Sequence, residues 1–392
     1  MPEYKSIKFN KALSRIVILS ALILFILFSF VIPQKAHAED KTKAVLMFTG
    51  DSMCLAGQQY SAEIKGGYDF YPSYKYVAKL FKKADFVCGN LETLISESNP
   101  ITKSQKTING QPQCNGPIQY LDAIQKAGYN AVVTANNHCC DWGPVGIEET
   151  KKHLDEYNIL NVGTNYRDKQ VKYILTDVNG INVAVLSYTH LVNQRGKMTK
   201  NELTTMVNCY DEKTVKADIK AAKKAGAEYV VVYCHWGSEN TEELAWYQKN
   251  DAKAVANAGA DLIIGSHPHC LQRAEYITTD DKREVLCMYS MGNFVSSMAR
   301  DINNDTIILA IDLEKTTYYQ YPGGPKAISV ISTKKAGYIP CRVTTIKGNN
   351  NVIFPVSAEI NGGNNSASLK EAGNRIKKVI KNLSEYRFSV KK

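Results

Sequence analysis

Short apolar runs alternate along most of the chain with stretches of helical periodicity. Residues 44–49, 84–88, 130–135, 181–187, 229–234, 262–264 and 285–289 have the length and branched content of buried strands. Between them, residues 74–82, 117–128, 146–157, 212–226 and 244–259 carry apolar side chains at helical spacing. Three of these stretches close on a glycine: Gly128, Gly226 and Gly259. Strands alternating with helices predict a layered α/β core. From Thr306 the texture changes. Residues 306–313, 327–332, 338–346 and 352–355 read as strands without intervening helices and are expected to complete a second sheet against the first. Residues 362–368 are polar, and 368–386 form a basic amphipathic helix expected to lie on the body.

The beginning of the chain has a different pattern. Lys5, Lys8, Lys11 and Arg15 precede the uninterrupted apolar run 16–32, Pro33 ends it, and Ala36-His37-Ala38 offers the small residues a signal peptidase needs. A secretory signal over 1–38 is expected, or an uncleaved anchor, since the run is nearly long enough to span a bilayer. Either places the body outside the cytoplasmic membrane, secreted or anchored on its outer face. The expected organisation is therefore a leader over 1–38, one α/β domain over 44–360, and a flexible segment with a terminal helix over 361–392.

Composition changes this picture little. With 44% hydrophobic and 22% charged residues among 392, the chain has the makeup of a globular protein, and its negative mean hydropathy excludes a polytopic membrane protein. Of the formal charge of +10, five basic residues against Glu3 in the leader account for +4, leaving +6 for the rest. That excess mildly favours polyanions. No basic–aromatic platform appears, so nucleic acid is not an expected partner. Ten cysteines in an exported chain permit disulfides, and two or three bridges are expected. Cys88, Cys234 and Cys287 lie inside apolar runs and read as buried free thiols.

Each unusual polar cluster falls at the C-terminal end of an expected strand, where the loops of an α/β sheet converge on one crevice. The clusters are Gly50-Asp51-Ser52, Gly89-Asn90-Leu91-Glu92, Ala135-Asn136-Asn137-His138, His235-Trp236-Gly237-Ser238-Glu239, Gly265-Ser266-His267-Pro268-His269 and Ser290-Met291-Gly292-Asn293-Phe294. They hold four of the seven histidines. Carboxylates, carboxamides and imidazoles gathered at one edge suit a divalent metal. Structural readings compete at each: Asp51 as a helix cap, Asn137 as a turn residue, His138 as a satisfied buried imidazole, Glu239 as the start of a helix, Asn293 as a turn residue. Two imidazoles flanking Pro268 are the hardest to explain by packing.

A strand ending in Gly-Asp, then Gly-Asn-Leu-Glu, Ala-Asn-Asn-His with Asp141-x-Gly143 behind it, His-Trp-Gly-x-Glu, His-Pro-His-x-x-Gln272 and Ser-x-Gly-Asn-Phe occur here in that order, from Asp51 to Phe294. In this the chain resembles the CapA-type poly-γ-glutamate capsule synthesis proteins, of the calcineurin-like metallophosphoesterase superfamily. The resemblance implies a layered αββα sandwich with two metals about 3.5–4 Å apart. It implies Asp51 and His269 at the first metal, Asn137, His235 and His267 at the second, and His138 as the acid assisting a leaving group. Glu92, or Asn90, stands where the superfamily has its metal-bridging aspartate. Glu239, Asp141 and Asn293 are further candidates for ligation or support. The metal would be Mn, Zn, Fe or Mg.

Two positions depart from the superfamily. Met53 stands where it has a histidine two residues after the first aspartate, and a thioether is a poor ligand for such ions. Asn90 replaces a carboxylate, so Glu92 must reach from a shifted place. One firmly bound metal, or two of unequal affinity, is expected. Three functions remain open at this point. One is an exported factor acting in biosynthesis or export of poly-γ-glutamate or a related anionic envelope polymer, with membrane-bound synthesis or export proteins as partners. Another is a metal-dependent hydrolase of a phosphoester or polymer. The last is a binding module whose metal site has degenerated.

Overall fold

The computed structural model describes residues 37–105, 107, 110–321 and 324–388. The leader expected over 1–38 lies almost wholly outside them. Among the described residues, no helix is long and apolar enough to cross a membrane.

In chain order, the strands of two large sheets are β1 (His37–Ser52), β2 (Phe86–Leu91), β3 (Ala131–Val133), β4 (Leu160–Val162), β5 (Ile174–Val178), β6 (Ile181–Thr189), β7 (Tyr229–His235), β8 (Leu262–Ser266), β9 (Ala274–Thr278), β10 (Glu284–Met288), β11 (Asn293–Val295), β12 (Asp305–Tyr319), β13 (Lys326–Ile346) and β14 (Asn349–Pro355). The first sheet runs β14-β13-β12-β1-β2-β3-β4, with β11 also pairing β1. The second runs β9-β10-β8-β7-β6-β5. The late strands β12 to β14 thus extend the first sheet beside β1, where the sequence pattern placed them in a second one. That second sheet is built from the middle of the chain. The apolar run that opens β12 marks a buried strand but does not say which edge it joins, because any free edge satisfies its backbone equally.

Chain segments 37–41 and 315–330 form a small unit of extended chain, in which Tyr319 Oη donates to Asp40 Oδ2 at 2.8 Å. Residues 42–314 with 331–388 form the main body. Within it the inner faces of the two sheets share one core. Leu46, Phe48, Phe86 and Val133 come from the first sheet, and Val183, Val231, Tyr233, Ile264 and Met288 from the second. The outer face of the first sheet, through Met47, Val87 and Val132, packs on helices α1 (Gln119–Ala127) and α2 (Gly143–Glu156). The outer face of the second, through Val230, Val232 and Ile263, packs on α3 (Glu212–Lys224) and α4 (Gln248–Ala258). This is the αββα sandwich. A further helix, α5 (Ala367–Val379), buries Leu369, Ala372 and Ile376.

All ten cysteines are free, so the expected two or three bridges are absent. Nine of the ten are buried, and Cys139 Sγ and Cys140 Sγ stand 3.7 Å apart without a bond. Burial pushes the thiols of Cys88, Cys234 and Cys287 up, as suits small apolar side chains inside strands.

Candidate metal centre

Parallel pairing brings the carboxyl ends of the strands to one edge in each sheet. β1 pairs β2 and β2 pairs β3 in the first, while β6 pairs β7 and β7 pairs β8 in the second. Asp51 lies beside Asn90 in register, and His235 lies beside Ser266. Two glycines allow the approach. A Cβ on Gly50 would meet Gly292 O at 2.0 Å, and one on Gly265 would meet Tyr289 O at 1.8 Å. With no side chain there, Asp51 N donates to Gly292 O at 3.0 Å and Trp236 Nε1 to Tyr289 O at 2.9 Å.

The side chains that converge are almost fully buried. Asp51, Asn90 and Glu92 are 0% exposed, and the most exposed histidine of the cluster, His267, is at 5%. Asn90 Nδ2 donates to Asp51 Oδ1 at 2.8 Å. A carboxamide here lets two carboxylates lie close together; a third carboxylate would add to their repulsion. Asn136 ties the next loop down, donating to Leu91 O at 2.8 Å and accepting from His138 N at 3.1 Å. His235 Nε2 is 3.0 Å from Asn137 Oδ1, and its Nδ1 is 2.9 Å from Ser266 Oγ, a hydroxyl able to donate or accept. His269 Nδ1 is 2.9 Å from Asn293 Oδ1, which turns Nε2 toward Glu92 Oε1 at 3.7 Å. His235 Nε2 approaches the same Glu92 oxygen at 3.7 Å.

Donor atoms fall into interlocking groups that could each hold an ion, with all members within 4.8 Å of one another: Asp51, Glu92 and His269; Glu92, His235 and His267; and Glu239, His267 and His269. Glu92 belongs to two of them. Its Oε1 and the Nδ1 of His267 are buried without a hydrogen-bond partner, an arrangement that is costly unless something binds there. Burial, then the charges of Asp51 and Glu239, pushes the Glu92 carboxyl well above its ordinary value. Burial and His267 pull His235 far down, and burial with His269 pulls His267 to about 3. Burial also acts against a proton on His269, but its hydrogen bond to Asp51 and the charges of Asp51 and Glu239 outweigh that and hold it above its ordinary value. The imidazoles of His235 and His267, held neutral, beside the carboxyl groups of Asp51 and Glu92 form a donor set that fits a divalent cation of mixed oxygen and nitrogen preference.

His138 and Asp141 make a second constellation beside the first. His138 Nδ1 is 2.6 Å from Asp141 Oδ2, which also accepts from Cys114 N at 2.7 Å. Every candidate residue from the sequence lies in or against this buried edge, save that Met53 contributes no donor group. His190, which follows β6, lies against Tyr210 and Tyr247 with ring centroids 4.2 and 4.8 Å away, and its Nε2 is 3.2 Å from Asp251 Oδ2. Two supporting residues lie outside the sequence clusters: Asn303 and Cys114, whose N–H donates to Asp141 Oδ2. Asn303 Nδ2 donates to His269 O at 2.9 Å. A carboxamide in a short polar helix gives no sign of such a contact until the chain is folded.

Residues 45–298 match the bacterial capsule synthesis protein PGA_cap family. The capsule biosynthesis protein CapA of Bacillus anthracis is 30% identical over 282 residues, which cover 71% of this chain and 65% of that protein. The PGA biosynthesis protein CapA of Bacillus subtilis (strain 168) is 29% identical over 285 residues, covering 72% and 70%. The chain therefore spans between 65% and 70% of the length of these two relatives. Among solved structures, the calcineurin-like phosphoesterase YfkN of Bacillus subtilis superposes with a TM-score of 0.46 at 15% identity, over 86% of this chain and 98% of that one. Matched over more than half its length, this chain belongs to the bacterial capsule synthesis protein PGA_cap family.

Proposed function

We propose that the protein acts outside the cytoplasmic membrane in the biosynthesis or export of poly-γ-glutamate or a related anionic envelope polymer, through a divalent-metal centre at the sheet edge. Two curated relatives named for capsule and PGA biosynthesis support the first part, and the basic–apolar–Ala-His-Ala leader supports the location. The observation that carries the metal centre is the pair of orphaned buried atoms, Glu92 Oε1 and His267 Nδ1, inside interlocking donor groups. Asp51, Glu92 and His269 would hold one cation, and Glu92, Asn137, His235 and His267 a second, with Glu92 shared between them. Ser266 and Asn293 fix the two outer imidazoles by their far nitrogens, the usual support for a metal-bound ring. Partners in this reading are the polymer and membrane-bound synthesis or export proteins.

The test is genetic and chemical together. Deletion of the gene should reduce cell-associated polymer; wild type should restore it, and His267→Ala should not, although the variant accumulates to wild-type level. Full restoration by His267→Ala would remove the metal centre from the function.

The His138–Asp141 contact favours a second reading, a metal-dependent hydrolase of phosphoesters or of the polymer itself. A divalent cation supplies Lewis acidity and an activated water in such sites. This chain's own contribution would be the imidazole. Asp141 holds Nδ1, leaving Nε2 to give a proton to a departing oxygen. Generic phosphomonoesters and phosphodiesters offered to Mn²⁺-loaded protein test it: turnover lost in His138→Gln supports hydrolysis, and no turnover in wild type opposes it.

A further inference from the structure

Reading this cluster as a metal centre leaves a gap at the first cation, because Met53 cannot ligate through nitrogen or oxygen of its side chain. Its backbone is fully occupied: N–H donates to Val295 O at 2.9 Å, and the carbonyl accepts from Tyr120 Oη at 2.8 Å and Gln58 Nε2 at 2.6 Å. The side chain is buried. Resting on that reading, we propose that Glu239, from the loop after β7, supplies the carboxylate ligand that the position of Met53 does not.

Geometry carries the assignment. A Glu239 carboxylate oxygen lies within 4.8 Å of donor nitrogens on both His267 and His269, the two imidazoles of the strained turn. His267 and His269 both have positive φ, 97° and 56°, a costly conformation that persists where the surroundings enforce it. The loop bearing Glu239 is bound to that same turn. Asn240 N donates to Pro268 O at 2.8 Å, and Asn303 Nδ2 donates both to Asn240 Oδ1 at 3.0 Å and to His269 O at 2.9 Å. Farther along, Gln272, fully buried, donates to Thr241 O at 3.2 Å and to Glu243 O at 2.9 Å, and accepts from Gln248 Nε2 at 3.0 Å. Motif residues Gln272 and Glu239 thus belong to one device. The glutamine pins the loop, and the pinned loop presents the glutamate to the histidines.

Two carboxylates and one imidazole, from Asp51, Glu92 and His269, become three carboxylates and one imidazole when Glu239 joins. The first position is then oxygen-rich and the second, with His235, His267 and Asn137, nitrogen-rich. Oxygen-rich sets suit Mn²⁺ or Mg²⁺, and imidazole-rich sets suit Zn²⁺ or Fe²⁺.

Calorimetric titration of full-length, metal-free protein with Mn²⁺ tests the assignment against Glu239→Gln, with Glu242→Gln in the same loop as control. Removing a supporting group already costs roughly 10–100-fold in affinity at metal sites, so Glu239→Gln should weaken one Mn²⁺ site at least tenfold and leave the other unchanged. Glu242→Gln should match wild type. In Co²⁺-loaded protein, Glu239→Gln should also alter the visible absorption, which a change in loop charge alone would not move. Wild-type Mn²⁺ affinity at every site in Glu239→Gln would overturn the assignment and leave the metal centre standing. Failure of wild type to bind any Mn²⁺ would remove the metal centre and this inference with it.

Discussion

Asp51, Glu92, His235, His267 and His269 come from four separate strand ends, yet they meet with almost no exposed surface. In the metal-free protein this is a store of unfavourable electrostatics with a definite pH dependence. His235 and His267 have folded-state values depressed below the ordinary 6.5, by burial first. As pH falls below 6.5 the unfolded chain takes up these two protons and the folded protein does not, so stability is lost toward acid, down to about pH 3 for His267. Glu92 acts in the opposite sense. Its folded value is raised above 4.5, so below that raised value the folded protein holds a proton that the unfolded chain releases. The contribution of His269, whose folded value is raised, is complete below 6.5 and does not change further. Between pH 6.5 and 4.5 the two depressed imidazoles therefore draw stability down toward acid, and Glu92 offsets part of that slope. Denaturant titrations of metal-free protein across that range should show this slope, and His267→Gln should flatten it. A slope unchanged by His267→Gln would mean that the imidazole is not held neutral by the fold.

At the scale of elements, the close approach of strand ends sets the site. In Gly265→Ala the new Cβ would meet Tyr289 O at 1.8 Å and Trp236 Nε1 at 2.5 Å. Neither a backbone oxygen nor a buried indole can swing aside, so a loss of about 3 kcal/mol is expected, read as a lower denaturation midpoint with weaker Mn²⁺ binding. Unchanged Mn²⁺ affinity in a destabilised Gly265→Ala would separate the site from this packing. Much of this level was legible in the sequence. The apolar runs around Leu46, Val87, Val132, Val185, Val232 and Ile263 appear as strands because buried parallel strands carry nearly unbroken branched residues. Short or amphipathic strands such as Leu160–Val162, Ile174–Val178 and Ala274–Thr278 were not, because two or three alternating residues do not separate a strand from a loop. The helix expected over 74–82 breaks into two short pieces, Tyr71–Tyr74 and Ala78–Phe81. Its tyrosines pack into aromatic contacts, among them Tyr74 with Tyr120 and Tyr129, that a continuous helix does not foretell. The residues that meet at the buried edge could be picked out wherever an unusual polar cluster ended a strand. Asn303, Cys114 and the partnership of Gln272 with Gln248 required the fold.

For the whole molecule, the sandwich is held by packing with no covalent bridge. Nine of ten thiols lie inside, and Cys209 alone is only half-buried. A thiol reagent should therefore label Cys209 on the native protein and all ten cysteines after denaturation, and reductant should leave the melting temperature unchanged. A melting temperature that falls on reduction would show a disulfide in the working protein. A metal bound by the folded state alone would add stability that grows with the logarithm of its free concentration over its dissociation constant.

The central claim is that the edge where the two sheets' strand ends converge is a metal centre. Elemental analysis of the protein dialysed after loading with Mn²⁺ or Zn²⁺ addresses it most directly, with Asp51→Asn and His267→Ala measured alongside. Retained metal in wild type, and its loss in both variants while each remains folded by circular dichroism, is the expected result. Wild type that retains no metal, or variants that retain as much as wild type, would contradict the claim.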